Sequence, residues 1–150
     1  MADISTLKIE EVIGMARESY LYDKTDIELY KTDGYGGSDT DLDDTERFTD
    51  NIDLTVNLGA NIDFKFTGSG STDDLALSLY ERRDASWGNS EIAIWNAAVN
   101  SDGTESIYSF TIGGSYGAGH YRFGMKSTGA TDTFEIDAEM RQWRRTTSIA

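Results

Sequence analysis

Few residues in this chain have the types and spacing that chemistry needs. Carboxylates come first, because Asp39-Thr40-Asp41-Leu42-Asp43 places an acid at every second position. Calcium takes six to eight oxygen ligands, and such a run can turn several of them toward one ion. The helix-loop-helix calcium loop also needs Gly at its sixth position and Glu at its twelfth. Counted from Asp39, those positions hold Asp44 and Asp50. Residues 39–44 therefore read as a solvated acidic stretch, with calcium binding as the sharper alternative. His120 is the one imidazole, so a multi-histidine metal centre is excluded. Its neighbours Tyr121 and Phe123 alternate onto the opposite face, so a surface histidine is expected. The absence of cysteine excludes disulfides, thiolate zinc sites and cysteine nucleophiles. The Gly-x-Ser-x-Gly spacing occurs once, at Gly113-Gly114-Ser115-Tyr116-Gly117, without the following helix that a nucleophile elbow needs, and 27 acids make any one carboxylate pair uninformative for glycosidic cleavage. The glycine-rich stretch Gly113-Gly114-Ser115-Tyr116-Gly117-Ala118-Gly119 lacks the Gly-Lys-Ser/Thr ending of a phosphate loop and reads as a mobile sheet-edge loop. No catalytic residue, metal or cofactor is assigned, and no enzyme activity is expected.

Recognition has better candidates. If Phe134, Ile136, Ala138 and Met140 face inward on a strand, then Glu135, Asp137, Glu139, Arg141, Trp143 and Arg145 face outward. The outer face begins acidic and ends as Arg-Trp-Arg, with Arg144 alongside. Arg and Trp are enriched at interface hot spots. Arg141, Trp143, Arg144 and Arg145 thus form a candidate docking patch, against the plainer reading of an intrachain clamp onto the acidic body, in which Trp143 covers the sheet edge. Trp87 and Trp95, near Tyr80 and Asn89, can serve as sugar-stacking platforms or plug a core.

The elements that position these residues follow from periodicity. Over residues 5–20, Ile9, Val12, Ile13 and Ala16 recur at helical spacing and predict a short amphipathic helix, which must pack on its own domain or on a neighbour. Residues 30–51 are rich in Gly and Asp and read as a linker. From Ile52 the period becomes two. Alternation predicts strands over 52–58, 62–66, 75–79, 92–95, 107–112, 121–125 and 134–140, with polar, Gly-containing turns between them. Seven to eight short strands without intervening helices predict an all-β, jelly-roll-like antiparallel β-sandwich with a short N-terminal helical arm. The expected organisation is an arm at 1–50, a sandwich at 51–145 and a tail at 146–150. Residues 64–77 can also be laid on 123–136, with Phe, Gly, Thr and Asp in register. That repeat predicts two equivalent strand–turn–strand hairpins.

Charge narrows the partners. The chain of 150 residues carries 13 basic and 27 acidic residues, a net charge of −14. Residues 1–50 have a net of −9, residues 51–140 a net of −8 and residues 141–150 a net of +3. Such a body repels phosphate backbones and anionic lipid, so neither nucleic acid nor membrane is expected as a partner. No apolar run approaches the roughly 20 residues of a membrane span, and the first residues do not read as a secretory leader.

Several segments together resemble small accessory structural proteins of tailed bacteriophage virions. They are Ile52-Asp53-Leu54-Thr55-Val56, Asp74-Leu75-Ala76-Leu77-Ser78-Leu79-Tyr80, His120-Tyr121-Arg122-Phe123-Gly124-Met125-Lys126-Ser127 and Gly129-Ala130-Thr131-Asp132-Thr133-Phe134 followed by Trp143-Arg144-Arg145. The resemblance covers about two thirds of the chain and leaves the first 50 residues out. It implies a β-sandwich located in the virion, as a capsid cement (decoration) or neck protein. It also implies a symmetric oligomer whose partners are copies of itself and a major capsid or neck protein, with no cofactor. The alternative from the residues themselves is a carbohydrate-binding or adhesion sandwich.

Overall fold

The computed structural model describes residues 20–33, 40–56, 59–88 and 91–145, with the backbone alone for 20–24, 114, 144 and 145. Among these residues nine strands form two antiparallel sheets packed face to face. In chain order they are β1 (Tyr20–Lys31), β2 (Arg47–Phe48), β3 (Ile52–Asp53), β4 (Gly59–Gly68), β5 (Leu75–Arg82), β6 (Trp95–Val99), β7 (Ser106–Ile112), β8 (His120–Ser127) and β9 (Phe134–Arg145). Sheet A runs β1-β9-β4-β7, and sheet B runs β2-β8-β5-β6 with β3 also on β8. Successive main strands cross between the sheets except at β5–β6, which is the jelly-roll arrangement. The predicted all-β sandwich is therefore present.

Period-two patterning builds the core directly. In β4, Ile62, Phe64 and Phe66 are buried, and in β5 Leu75, Leu77 and Leu79 face them from the other sheet. Phe123 lies edge-on to Phe64 with ring centroids 4.9 Å apart, and Phe110 meets Phe123 at 5.4 Å. Trp95 closes the side between β6 and β7, its ring 4.4 Å from that of Phe110.

The 64–77 and 123–136 units are equivalent, but they are not hairpins. β4 pairs with β9 and β5 with β8, so each unit is an arch that crosses from one sheet to the other. The registers match: Phe64 faces Ala138 as Phe123 faces Leu79, and Phe66 faces Ile136 as Met125 faces Leu77. The arches also hold each other. The Asp132 carboxylate accepts the backbone N–H groups of Thr72 and Asp73 at 2.7 Å each. The Asp73 carboxylate accepts those of Thr131 and Asp132 at 2.8 and 2.7 Å. Ser69 and Thr128 complete the symmetry by accepting from Thr133 N and Asp74 N. Each aspartate sits where a Cβ on the opposite arch would fall, which is why Gly70 and Gly129 stand there. Sheets lie roughly 10 Å apart, too far for a tight turn, so each crossing turn needs its N–H groups satisfied from outside.

Five other expectations need correction. The sandwich begins at Tyr20, not near residue 51, because β1 covers the edge of sheet A beside β9. The assignment of 1–50 to an arm therefore holds nothing for residues 20–33 and 40–50. The predicted helix, with Ile9, Val12, Ile13 and Ala16, lies outside the described residues up to residue 19, and Tyr20 is strand. The linker reading fails at Leu42, which is 1% exposed and exchanges backbone hydrogen bonds with Phe134. The predicted strand 52–58 stops after Asp53. The Asp53 carboxylate accepts Thr55 N and Thr55 Oγ1, an Asx turn that ends the strand and leaves Val56 84% exposed. The turn expected at 59–61 is the start of β4, and β6 starts at Trp95 instead of Ile92.

Candidate functional site

Two outer faces carry the polar side chains. On sheet A, alternation along β9 turns Glu135, Asp137, Glu139 and Arg141 outward, as expected, and β4 adds Asp63 and Lys65. β1 brings Glu28 against them. Carboxylate oxygens of Glu28, Asp137 and Glu139 lie within 4.8 Å of one another. Such an array can share a proton or face a hard cation. Burial pushes the Glu28 carboxyl from an ordinary 4.5 up to about 8, helped by a hydrogen bond with Asp137 and by the Asp137 and Glu139 charges, with Lys31 opposing. Next to it a shallow depression of about 220 Å³ is lined by Asp26, Asp63, Glu139, Met140 and Arg141.

The raised Glu28 value sets a direction of pH dependence. Between pH 4.5 and about 8 the folded chain holds a proton that the unfolded chain has given up. Stability from this group is therefore full below the unfolded value and is lost as pH rises through the folded one. Because Glu28 is only half-buried, the effect is discounted to about 1 kcal/mol, or about 3–4 °C in Tm. Melting at pH 5 and pH 8.5 should show wild type losing that increment, and Glu28→Gln should abolish it.

On sheet B the β5–β6 connection folds back over β8. The Arg122 guanidinium lies between Phe48, at 3.8 Å from the ring centroid, and Trp87, at 4.7 Å. Its Nη2 donates to Gly88 O at 3.0 Å. Glu91, whose side chain is 9% exposed, receives Arg82 at 3.1 Å and Arg122 at 3.9 Å. The Gly88 N–H and the two guanidiniums hold the Glu91 carboxyl below its usual range. Trp87 Nε1 donates to Asn51 Oδ1, and Asn51 Nδ2 lies 3.0 Å from His120 Nδ1. Tyr80 donates to the Glu46 carboxylate at 2.9 Å. Cation–π contacts and charge-assisted bonds thus fix one loop on a sheet.

These contacts place the predicted residues. Arg141 is exposed at the acidic depression. Trp143 is half-buried, its indole lying across Gly59, where a Cβ would meet it and the Ile112 carbonyl. That contact lies between the interior strands β9 and β4, not at a sheet edge. Arg144 and Arg145 pair with Leu21 and Tyr20 on β1, which puts their backbone in sheet A. Of the two tryptophans weighed as sugar platforms, Trp95 is a core plug and Trp87 has one ring face under Arg122. The Gly113–Gly119 loop contains a 3-10 turn at Gly114–Tyr116, and the buried Tyr121 hydroxyl lies 2.7 Å from the Tyr116 and Gly117 carbonyl oxygens. Burial raises that phenol to about 12. Asp41, Asp43 and Asp44 are exposed, and Asp43 caps Thr45 N. Sequence reasoning missed Arg122, Glu91 and Glu28. The outward Arg122 between Tyr121 and Phe123 was the one available signal, since neither loop closure nor β1 pairing was visible.

No family model matches the chain, and no curated protein matches it. Several solved structures are similar to it at low identity. The K3 adhesin domain of Lys-gingipain from Porphyromonas gingivalis W83 is 12% identical with a TM-score of 0.41, over 71% of this chain and 66% of that one. A carbohydrate-binding module of Cellvibrio mixtus lichenase 5A, solved with cellotriose, is 13% identical with a TM-score of 0.37, over 83% and 92%. A structure of infectious bursal disease virus, Gx strain, is 8% identical with a TM-score of 0.40, over 86% of this chain and 36% of that one. Likenesses this distant carry no statement about what this chain binds. No helix among the described residues is long and apolar enough to cross a membrane.

Proposed function

We propose that this protein is a structural component of a bacteriophage virion, a cement or neck protein that works by adhesion of its surfaces to copies of itself and to a major capsid or neck protein. On this reading it resides in the particle and has no reactive centre. The jelly roll supports capsid and lectin roles alike and decides neither. The observation that carries the reading is where the recognition residues lie. Trp95 packs against the core, Trp87 and His120 help fasten the β5–β6 connection, and among the described residues the large apolar side chains left exposed are Ile27, Val56, Ile92, Ile94 and Ile107. Adhesion through surfaces uses such residues; a sugar cleft would need the tryptophans free.

Arg141 is the docking residue best placed for test. Removing the chain after Met140 would strip β9 of its pairing with Gly59–Asn61 and with the Tyr20–Lys24 half of β1, so a point substitution is the cleaner variant. Purified protein should co-sediment with particles of the phage that encodes it, and Arg141→Glu should weaken that binding while the circular dichroism stays that of wild type. No particle binding, together with saturable quenching of Trp87 by one glycan on an array, would replace this reading with the carbohydrate-binding one.

A further inference from the structure

We propose that His120 is a pH-sensitive latch: its neutral ring, acting through Asn51, fastens Trp87 and the turn at 84–88 to sheet B, and a proton on the ring releases that end of the β5–β6 connection. The inference goes beyond the virion reading and does not depend on it.

Three side chains form a relay. Trp87 Nε1 donates to Asn51 Oδ1 at 3.0 Å, and Asn51 Nδ2 lies 3.0 Å from His120 Nδ1. An indole N–H only donates, so the Asn51 oxygen must face Trp87 and its NH2 group must face the ring. His120 Nδ1 therefore accepts, which fixes the neutral tautomer with its proton on Nε2. Protonation places an N–H on Nδ1 against the Asn51 NH2, donor against donor. Turning the amide over only moves the conflict to the Trp87 indole. No orientation of Asn51 satisfies both neighbours once the ring is charged.

Charged groups face the ring from each strand around it. Asp53 on β3 and Arg82 on β5 stand opposite His120 in register, and Arg122 lies two residues further along β8. Asp84 in the turn interacts with the ring as well. Its carboxyl is held below the usual range chiefly by the Ser86 N–H, with the Arg82 and His120 charges helping. Glu81 lies by the Tyr121 hydroxyl, and Glu91 by Arg82 and Arg122. A histidine ring changes charge between pH 5 and 8. The fastened turn holds one proton fewer than the released one, so fastening is complete at the alkaline end and is lost as pH falls.

Release is local. Glu91 still receives Arg82 at 3.1 Å and Arg122 at 3.9 Å, and the Gly88 N–H and both guanidiniums keep its carboxyl ionised. Trp87, once off Asn51, keeps the Arg122 guanidinium 4.7 Å from its ring centroid, with Gly88 O on Arg122 Nη2. Ile92 and Ile94 of the same connection are 87% and 46% exposed, so acidification reshapes a surface that bears apolar side chains.

Because His120 is the only histidine, nitrogen NMR of its ring on the full-length protein reads one group. At pH 8 the ring should be the Nε2–H tautomer. Between pH 8 and pH 5, Trp87 emission, taken as wild type minus Trp87→Phe, should shift to the red in a one-proton transition that coincides with the ring titration. The Trp87 indole N–H should lose roughly tenfold of its protection from hydrogen exchange, corrected for intrinsic rates, while Trp95 keeps its own. His120→Asn sets an amide oxygen where Nδ1 stands and never charges, so it should hold Trp87 at both pH values. An Nδ1–H tautomer at pH 8, Trp87 emission that does not change down to pH 5, or the same transition in His120→Asn would overturn the proposal. The tautomer and the exchange are read on wild type, so a folding defect in a variant cannot mimic them.

Discussion

Asp132→Ala should lower the stability of the sandwich by about 2–4 kcal/mol, and Asp73→Ala by nearly as much. Each carboxylate accepts two backbone N–H groups of the opposite arch, and the Asp132 side chain is buried, with the residue 5% exposed. Removing it leaves two turn N–H groups facing a void, with no helix or ladder to take them. Asp73 is less buried, so water compensates more of its loss. Because the arches brace each other, the two losses should not add, and the double variant should fall short of the sum by about 1 kcal/mol. Urea unfolding of the single and double variants measures this. Losses under about 0.5 kcal/mol would mean the turns stand without the carboxylates.

Phe123→Ala should cost more, about 3–5 kcal/mol, with Phe123→Leu near 1 kcal/mol. Phe123 is fully buried on β8 and meets Phe64 of the opposite sheet at 4.9 Å, Phe110 at 5.4 Å and Trp95 at 6.5 Å. Its removal opens a cavity between the sheets and frees the ring that plugs the β6–β7 side. Trp95 emission should shift to the red in the alanine variant before any global unfolding. A loss below about 1 kcal/mol, or unchanged emission, would show that the aromatic cluster does not join the sheets.

The strands that the sequence displays are those with unbroken alternation. β4, β5, β8 and β9 each bury every second side chain, and β7 half-buries Tyr108 and Phe110 and buries Ile112, so most of their apolar residues could be counted off directly. β1 was illegible because its bulges break the period: Ile27 is 36% exposed and Leu29 1%, with Asp26 in a left-handed backbone just before them. Leu42 alone among acids gives no period at all, yet it pairs with Phe134. The 59-residue repeat was visible as a match of types, but an arch and a hairpin share the same strand–turn–strand pattern. Only partner choice separates them, and the reciprocal aspartates that brace the arches are contacts between the two units, 59 residues apart. The Arg122–Glu91–Trp87 clamp and the Glu28–Asp137 contact join residues far apart in sequence or on the misread β1, so no local spacing announced them. Outward placement of Arg141 was legible from β9 alternation, whereas the position of Trp143 over Gly59 needed the neighbouring strand.

The most direct measurement is the copy number of this chain in gradient-purified particles of the phage that encodes it, by quantitative peptide mass spectrometry. The account predicts its peptides in fixed ratio to those of the major capsid or neck protein, unchanged by a high-salt wash. Particles that are intact, infectious and free of this chain would contradict it.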